Sequence, residues 1–245
     1  MGGGVGLTWH SPVRVATDNS MYAMPETAIG FFCDVGGSYF LSRVKNDISL
    51  GLYLGLTGNR VKAKDLVKWG IATHYVPQDK IPELYERMAQ SVTPQSTDAD
   101  IDNIVSSLSD NSNAEEPIEN IDEIHHIFQP DSVQNCMDRL VASQSEFGAK
   151  TRKVMTNMSP LSLAVVFEQI KRGANMELEA VFQMEYGMTQ GYMAHTEFYE
   201  GVRALLVEKD KNPQWKHKNV HEITQDEVDF FFTRPEQCLL DINRN

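Results

Sequence analysis

Two acidic residues, Glu26 and Asp34, lie eight residues apart in the apolar, glycine-bounded stretch MPETAIGFFCDVGG at 24–37. Acidic side chains are rarely buried without a partner, so this context indicates ionisable groups held where their protonation can be tuned. Groups of that kind are typical of an active site. A solvated loop is the alternative interpretation of the same stretch, because acids are usually exposed.

A glycine cluster, MGGGVGL at 1–7, precedes these acids. Glycine has no Cβ, so the backbone amides of this cluster can approach a ligand closely and can form half of an oxyanion hole. The cluster lacks the Gly-Lys-Ser/Thr of a P-loop and the GxGxxG spacing of a dinucleotide-binding fold. Taken alone, it is equally consistent with a tight turn into a helix.

The segments around these residues alternate between strand and helix signals. The predicted elements are strands at 13–16, 21–24 and 71–77 and helices at 38–44, 50–56 and 63–70. The turn residues TDNS at 17–20 separate the first two strands, and glycines follow the last two helices. Residues 1–90 are therefore predicted to form an α/β core that carries the acids.

The rest of the chain is predicted to be helical after a polar segment. Residues 91–130 are rich in Ser, Asn, Asp and Glu and are predicted to be a solvated, acidic excursion. His125 and His126 are adjacent, so on a helix they point about 100° apart and do not chelate one ion, and no metal site is predicted.

Residues 131–245 carry helical apolar stripes, with Ser159-Pro160 as a helix start and Thr224 with Glu227 as a capping box. The stripes predict core or subunit contacts, which leaves a homo-oligomer open. His195 is predicted to be a surface helix residue rather than a catalyst.

The composition and net charge limit the classes of partner that we expect. The 245 residues carry a formal net charge of −12, which opposes attraction to nucleic acid or anionic lipid. No apolar stretch of the length of a membrane span occurs, so no membrane partner is expected.

The three cysteines favour a reducing compartment, because they lie far apart without a CxxC pair, at Cys33, Cys136 and Cys238. Asp34 disfavours a thiolate at Cys33, which is interpreted as a packing residue.

The combination of motifs resembles the crotonase superfamily, the enoyl-CoA hydratase/isomerase group. The resemblance is carried by residues 1–6, 14–17, 23–30, 34–37, 56–58, 63–66, 70–72, 158–160, 184–186 and 200–204. It covers nearly the whole chain and implies a ββα spiral core, incomplete at its N-terminus, followed by a helical C-terminal region. The chain begins at the glycine cluster, so the family's preceding segment, with the second oxyanion-hole amide and any targeting sequence, is expected to be missing.

The resemblance is strongest to a hydrolase branch of the superfamily. It implies hydrolysis of the 3-hydroxyisobutyryl-CoA thioester to 3-hydroxyisobutyrate and coenzyme A in valine catabolism, in mitochondria, with coenzyme A as part of the substrate and no further cofactor. Carried over by position, Gly3 supplies an oxyanion-hole amide, Glu26 is the catalytic carboxylate, and Asp34 is the second polar residue of the acyl pocket. Glu26 as a general base and Glu26 as a nucleophile both stay open.

Two other functions stay open. A hydratase of the superfamily uses two glutamates, and its first glutamate position is occupied here by Gly6, which favours hydrolysis over hydration. A truncated, noncatalytic chain that binds acyl-CoA or modulates oligomers is the other alternative. A basic cluster could meet coenzyme A phosphates or be ordinary solvated surface. The cluster consists of Arg43, Lys45, Arg60, Lys62 and Lys64.

Overall fold

The computed structural model describes residues 1–233, so Cys238 and the end of the predicted helical region lie outside the described residues. The strands are β1 (Val15–Ala16), β2 (Met21–Tyr22), β3 (Val61–Lys62) and β4 (His74–Tyr75). The helices are α1 (Gly3–Trp9), α2 (Gly37–Leu41), α3 (Ile48–Thr57), α4 (Asp65–Lys68), α5 (Ile81–Ser91), α6 (Asp98–Ser106), α7 (Ile121–Ile127), α8 (Val133–Ala142), α9 (Glu146–Thr156), α10 (Pro160–Gly173), α11 (Leu178–Met193), α12 (Thr196–Val202) and α13 (Gln225–Phe230).

The chain groups into two compact units, each built from separate stretches of sequence. The first unit contains Met1, Gly3–Ala23 and Arg60–Glu119. The second contains Gly2, Met24–Asn59 and the described residues from Asn120 onward. The division into segments 1–90, 91–130 and 131–245 stays a prediction.

The first unit holds the strands. β1 pairs in parallel with β4, and β2 pairs with β3 in antiparallel register. Each predicted strand region contains a strand, but only two residues of each region pair. The Arg14 side chain donates to the carbonyl oxygens of Ile71 and Gly70 and so joins the two chain segments just before β1 and β4. Helices α5 and α6 pack together beside the buried Val76.

The second unit is a helical bundle around α3. This helix is buried from Ser49 to Thr57, because nearly every residue in it is apolar or small, and it contacts α2, α7, α9 and α10. The predicted local signals are confirmed here. Ser159 caps α10 with Pro160 at its first position, and Thr224 and Glu227 form the capping box of α13. Among residues 1–233, no helix has both the length and the apolar character needed to cross a membrane.

Candidate active site

Glu26 lies in a short 3₁₀ turn of the second unit. The turn spans Glu26–Ile29, follows Pro25 and ends at Gly30. The Phe31 amide donates to the Glu26 carbonyl oxygen at 3.0 Å and closes the turn. Proline has no amide hydrogen and a fixed φ, so it suits the residue before a tight turn. The sequence MPETAIG therefore folds locally into a turn that begins at the predicted catalytic residue.

Three neighbouring helices hold this turn. The Ser159 amide donates to the Thr27 carbonyl at 3.1 Å, and the Thr27 hydroxyl donates to the carbonyl of Leu56 at 3.4 Å. Helix α12 packs against the turn through Gly201, where a Cβ atom would lie 2.1 Å from the Ile29 carbonyl oxygen. Only glycine permits so close an approach. The backbone next to Glu26 is thus fixed by α3, α10 and α12.

The Glu26 side chain is buried, with 8% of its surface exposed. Its Oε2 atom has no hydrogen-bond partner within residues 1–233. The pKa of Glu26 is raised to about 7, mainly by burial and to a smaller extent by the negative charge of Asp34, while hydrogen bonds from its own backbone amide and from Cys33 oppose the rise. A carboxylate with a free oxygen and a pKa near neutrality can take up a proton or attack an electrophile at physiological pH.

Asp34 lies three residues before the start of α2 in the same unit and is half-buried. Burial raises its pKa above the ordinary value. Its carbonyl oxygen accepts from the Gly37 amide at 2.9 Å, which forms a turn directly after the side chain. Since the charge of Asp34 acts on Glu26, the structure brings together the two acids that the sequence singled out.

Cys33 occupies the position directly before Asp34 and is completely buried. Burial raises the pKa of its thiol, and the charges of Glu26, Asp34 and Glu185 raise it further. A thiol in such surroundings stays protonated and is a poor nucleophile. The interpretation of Cys33 as a packing residue is confirmed.

Gly3 lies in the first unit, where it begins α1. The first amides of a helix have no acceptor within the helix, so they are available to an external oxygen. A Cβ at Gly3 would meet nothing within 4 Å. The first unit also contains a cleft of about 490 Å³, whose lining includes Gly4 and Arg14. The oxyanion-hole role of Gly3 stays a prediction.

Glu185 is a residue near Asp34 to which sequence reasoning gave no role. It lies on α11 with 5% of its surface exposed and accepts hydrogen bonds from residues of the Asp34 segment. Its pKa is raised to about 7, mainly by burial, which outweighs the lowering effect of the hydrogen bonds from Ser38 and Gly36. The available signal was its spacing, because Glu185 shares one buried helix face with Val181 and Met188.

In the predicted basic cluster, Arg43 and Lys64 make protein contacts, whereas the other members are exposed, namely Lys45, Arg60 and Lys62. Arg43 donates to the carbonyl oxygens of Gly173 and Met176 and lies over the Tyr39 ring, 3.8 Å from its centre. Its guanidinium thus binds the backbone at the end of α10. Lys64, in the first unit, forms an ion pair with Asp110.

The histidines have local roles. His125 pairs with Asp47, and His195 is half-buried as the N-cap of α12, whose Glu197 amide donates to its ring. The prediction of His195 as a surface helix residue is therefore corrected, because its ring accepts at the helix start and packs against Phe231. No group of three or more metal-ligating side chains occurs within residues 1–233.

Comparison with known proteins identifies the class of protein. The family model for enoyl-CoA hydratase/isomerase matches residues 1–232, so the chain belongs to this family. Among solved structures, a carnitinyl-CoA dehydratase from Mycobacterium thermoresistibile is 31% identical with a TM-score of 0.84, covering 100% of this chain and 68% of that one. An enoyl-CoA hydratase from Rhodobacter sphaeroides is 29% identical with a TM-score of 0.78, covering 96% and 65%. The expected family and crotonase-like fold are confirmed.

Within the family, the curated relatives carry a more specific name. Mitochondrial 3-hydroxyisobutyryl-CoA hydrolase of Xenopus laevis is 42% identical over 238 residues, which is 95% of this chain and 61% of the relative. The proteins of that name from Dictyostelium discoideum and Homo sapiens are 42% and 39% identical, covering 95% of this chain and 61% and 60% of their own length. The chain thus spans about three fifths of the length of these relatives.

Proposed function

We propose that this chain carries the acidic residues of an acyl-CoA thioester hydrolase that cleaves 3-hydroxyisobutyryl-CoA into 3-hydroxyisobutyrate and coenzyme A. The observation that carries the proposal is the buried Glu26 carboxyl, with one oxygen that has no partner among the described residues, next to a second acid. The curated relatives named for this reaction support the choice of substrate and a mitochondrial location.

Glu26 performs the central step in this proposal. As a base, it removes a proton from a water whose oxygen attacks the thioester carbonyl carbon. The C–S bond then breaks, and the departing sulfur takes up a proton to give the free thiol of coenzyme A. As a nucleophile, a Glu26 carboxylate oxygen attacks the carbonyl carbon, and the C–S bond breaks as coenzyme A leaves and takes up a proton. Water then hydrolyses the resulting mixed anhydride to 3-hydroxyisobutyrate and the regenerated carboxylate. Both routes need the ionised carboxylate and an unoccupied oxygen.

Gly3 stabilises the charge that develops on the carbonyl oxygen in either route. Thioester hydrolysis builds negative charge on this oxygen, and a preorganised amide donor of this kind contributes roughly 3–4 kcal/mol to transition-state stabilisation. The amide is available because it lies in the first turn of α1. Coenzyme A enters as part of the substrate.

Asp34 recognises the acyl group in this proposal. Its half-buried carboxyl accepts a hydrogen bond from the substrate's 3-hydroxyl. A buried acceptor without a donor is penalised, so acyl groups that lack the hydroxyl bind less well. Asp34 would then act mainly in choosing between substrates, whereas Glu26 acts on all of them.

The test measures free-thiol release from 3-hydroxyisobutyryl-CoA by the 245-residue chain and by Glu26→Gln. Glu197→Gln is the matched control, because Glu197 is also a buried glutamate but accepts from Ser159. We expect release by the parent chain and the control and none by Glu26→Gln. Thiol release that does not depend on Glu26 contradicts the proposal.

Two further results would favour the alternatives. Hydration of crotonyl-CoA without thiol release, followed as loss of the enoyl thioester absorbance, would identify a hydratase. Binding of acyl-CoA without either reaction would identify a noncatalytic chain.

A further inference from the structure

The segment that carries Asp34 is held by a side chain from a distant helix. Glu185 Oε2 accepts from the Gly36 amide at 2.8 Å. Glu185 Oε1 accepts from the Ser38 amide at 2.9 Å and from the Ser38 hydroxyl at 2.7 Å. Both carboxylate oxygens are therefore occupied by donors from Gly36 and Ser38, which lie shortly after Asp34 in the chain.

The backbone of this segment needs such a restraint. Val35 has a φ of 56° and Gly36 a φ of 86°. The left-handed region is open to glycine but is a strained conformation for a β-branched residue such as valine. A strained backbone persists only where its surroundings hold it. The contacts that Glu185 makes with Gly36 and Ser38, on the far side of Val35 from Asp34, supply this restraint.

A second buried residue restrains the segment on the other side. The Gln169 side chain on α10 donates to the Cys33 carbonyl and, at 2.9 Å, to the Ser38 hydroxyl. The Ser38 hydroxyl in turn donates to Glu185 Oε1. Gln169, Ser38 and Cys33 are all completely buried, so water does not compete for these bonds. Asp34 thus lies between two anchored points of the backbone.

We propose that Glu185 is a positioning residue for substrate selection, which orients Asp34 toward the hydroxyl of a 3-hydroxyacyl thioester. This inference rests on the proposed role of Asp34 as acceptor for that hydroxyl. Glu185 itself does not touch the substrate, because its two oxygens are used by three protein donors. Its contribution is expressed as the preference for hydroxylated over plain acyl groups.

The experiment measures binding, so it does not depend on turnover. The probes are two dethia analogues of coenzyme A thioesters, in which a methylene replaces the sulfur. One carries the 3-hydroxyisobutyryl group and the other the isobutyryl group. Calorimetric titration of the 245-residue chain gives the ratio of their two dissociation constants, which reports recognition of the hydroxyl.

The decisive variant is Glu185→Gln. An amide keeps one acceptor but turns an NH₂ group toward one of the two backbone amides, so at least one hydrogen bond to the segment is lost. We expect the preference for the hydroxylated analogue to fall by about tenfold or more, since a hydrogen bond to a charged group commonly carries that much affinity. Glu197→Gln changes another buried glutamate, which accepts from Ser159, and we expect it to leave the ratio unchanged.

A double substitution separates positioning from a general loss of structure. Once Asp34→Ala has removed the acceptor, adding Glu185→Gln should lower the ratio no further. Ser38→Ala removes one of the three donors to Glu185 and should lower the ratio by a smaller amount. This variant replaces Glu185→Gln as the test if Glu185→Gln does not fold.

Three results overturn the inference. The first is an unchanged ratio of dissociation constants in folded Glu185→Gln or, if that variant does not fold, in Ser38→Ala. The second is a further fall of the ratio in the double variant, and the third is a parent chain that does not prefer the hydroxylated analogue. A preserved preference without thiol release from the true thioester would reject the hydrolase proposal and leave this inference standing.

Discussion

Replacing Glu26 by glutamine should make the protein more stable at alkaline pH while abolishing turnover. The carboxyl group is buried beside Asp34, and one of its oxygens has no partner among residues 1–233, so ionisation of the group is unfavourable in the folded state. Glutamine has nearly the same shape as a protonated glutamic acid but never ionises. The substitution therefore removes the free-energy penalty of the charge and, with it, the proposed base or nucleophile.

The expected magnitude follows from the pKa. Burial raises the pKa of Glu26 from 4.5 to about 7. Between these values the folded protein keeps a proton that the unfolded chain has lost, so the free energy of unfolding falls as the pH rises through this window. At about 1.4 kcal/mol for each unit of pKa, the penalty reaches about 3 kcal/mol above pH 7. The glutamine NH₂ also needs acceptors, so we expect a gain of about 1–3 kcal/mol at about pH 8.

Urea unfolding of the parent chain and of Glu26→Gln at about pH 8 and about pH 5 tests this expectation. The gain in free energy of unfolding should be present at about pH 8 and mostly absent at about pH 5, where Glu26 of the parent is largely protonated in the folded state. Glu197→Gln serves as the control. The glutamine side chain of this control keeps only a neutral acceptor for the Ser159 hydroxyl, so we expect its free energy of unfolding to be lower by about 1 kcal/mol. The reasoning fails if Glu26→Gln is no more stable than the parent at about pH 8.

Three further outcomes are expected. The kcat/KM for thioester hydrolysis should rise with pH through an apparent pKa near 7, because the ionised Glu26 is the active form. Asp34→Asn should shift this rise to lower pH, because it removes a negative charge that raises the pKa of Glu26. Gly201→Ala should lower the free energy of unfolding by at least about 1–3 kcal/mol, measured in urea, since its Cβ would lie 2.1 Å from the Ile29 carbonyl oxygen. Arg43→Met should lower the thermal midpoint and leave the KM for the acyl-CoA unchanged; a raised KM would instead assign this side chain to coenzyme A.

Local chemistry in the sequence predicted the parts of the fold that depend on neighbouring residues. The Ser159 cap and the capping box of Thr224 and Glu227 each rest on contacts within a few residues, and the structure confirms both. The regions of β1, β2 and β4 were located and β3 was missed, because the extent of each strand depends on pairing between distant segments, such as β1 with β4. β-rich composition alone therefore overestimated their length.

The same distinction applies to the candidate site. Glu26 and Asp34 were found because acids in an apolar stretch are visible in the sequence, and the structure places both in one unit with raised pKa values. Glu185 received no role because its partner Gly36 lies 149 residues away. A single sequence does not state which distant residues meet, and an acid on an apolar helix face indicates only that some partner exists.

Glu26 and Glu185 show why a raised pKa does not by itself identify a catalytic acid. Burial raises the pKa of both to about 7. Glu185 gives both oxygens to three donors from Gly36 and Ser38, so its charge is used to hold the backbone. Glu26 keeps Oε2 without a partner among the described residues, so its charge is free to act on a substrate. Substitution by glutamine separates the two, because at Glu26 it removes a charge that burial disfavours, whereas at Glu185 it loses at least one of the three hydrogen bonds to the Asp34 segment.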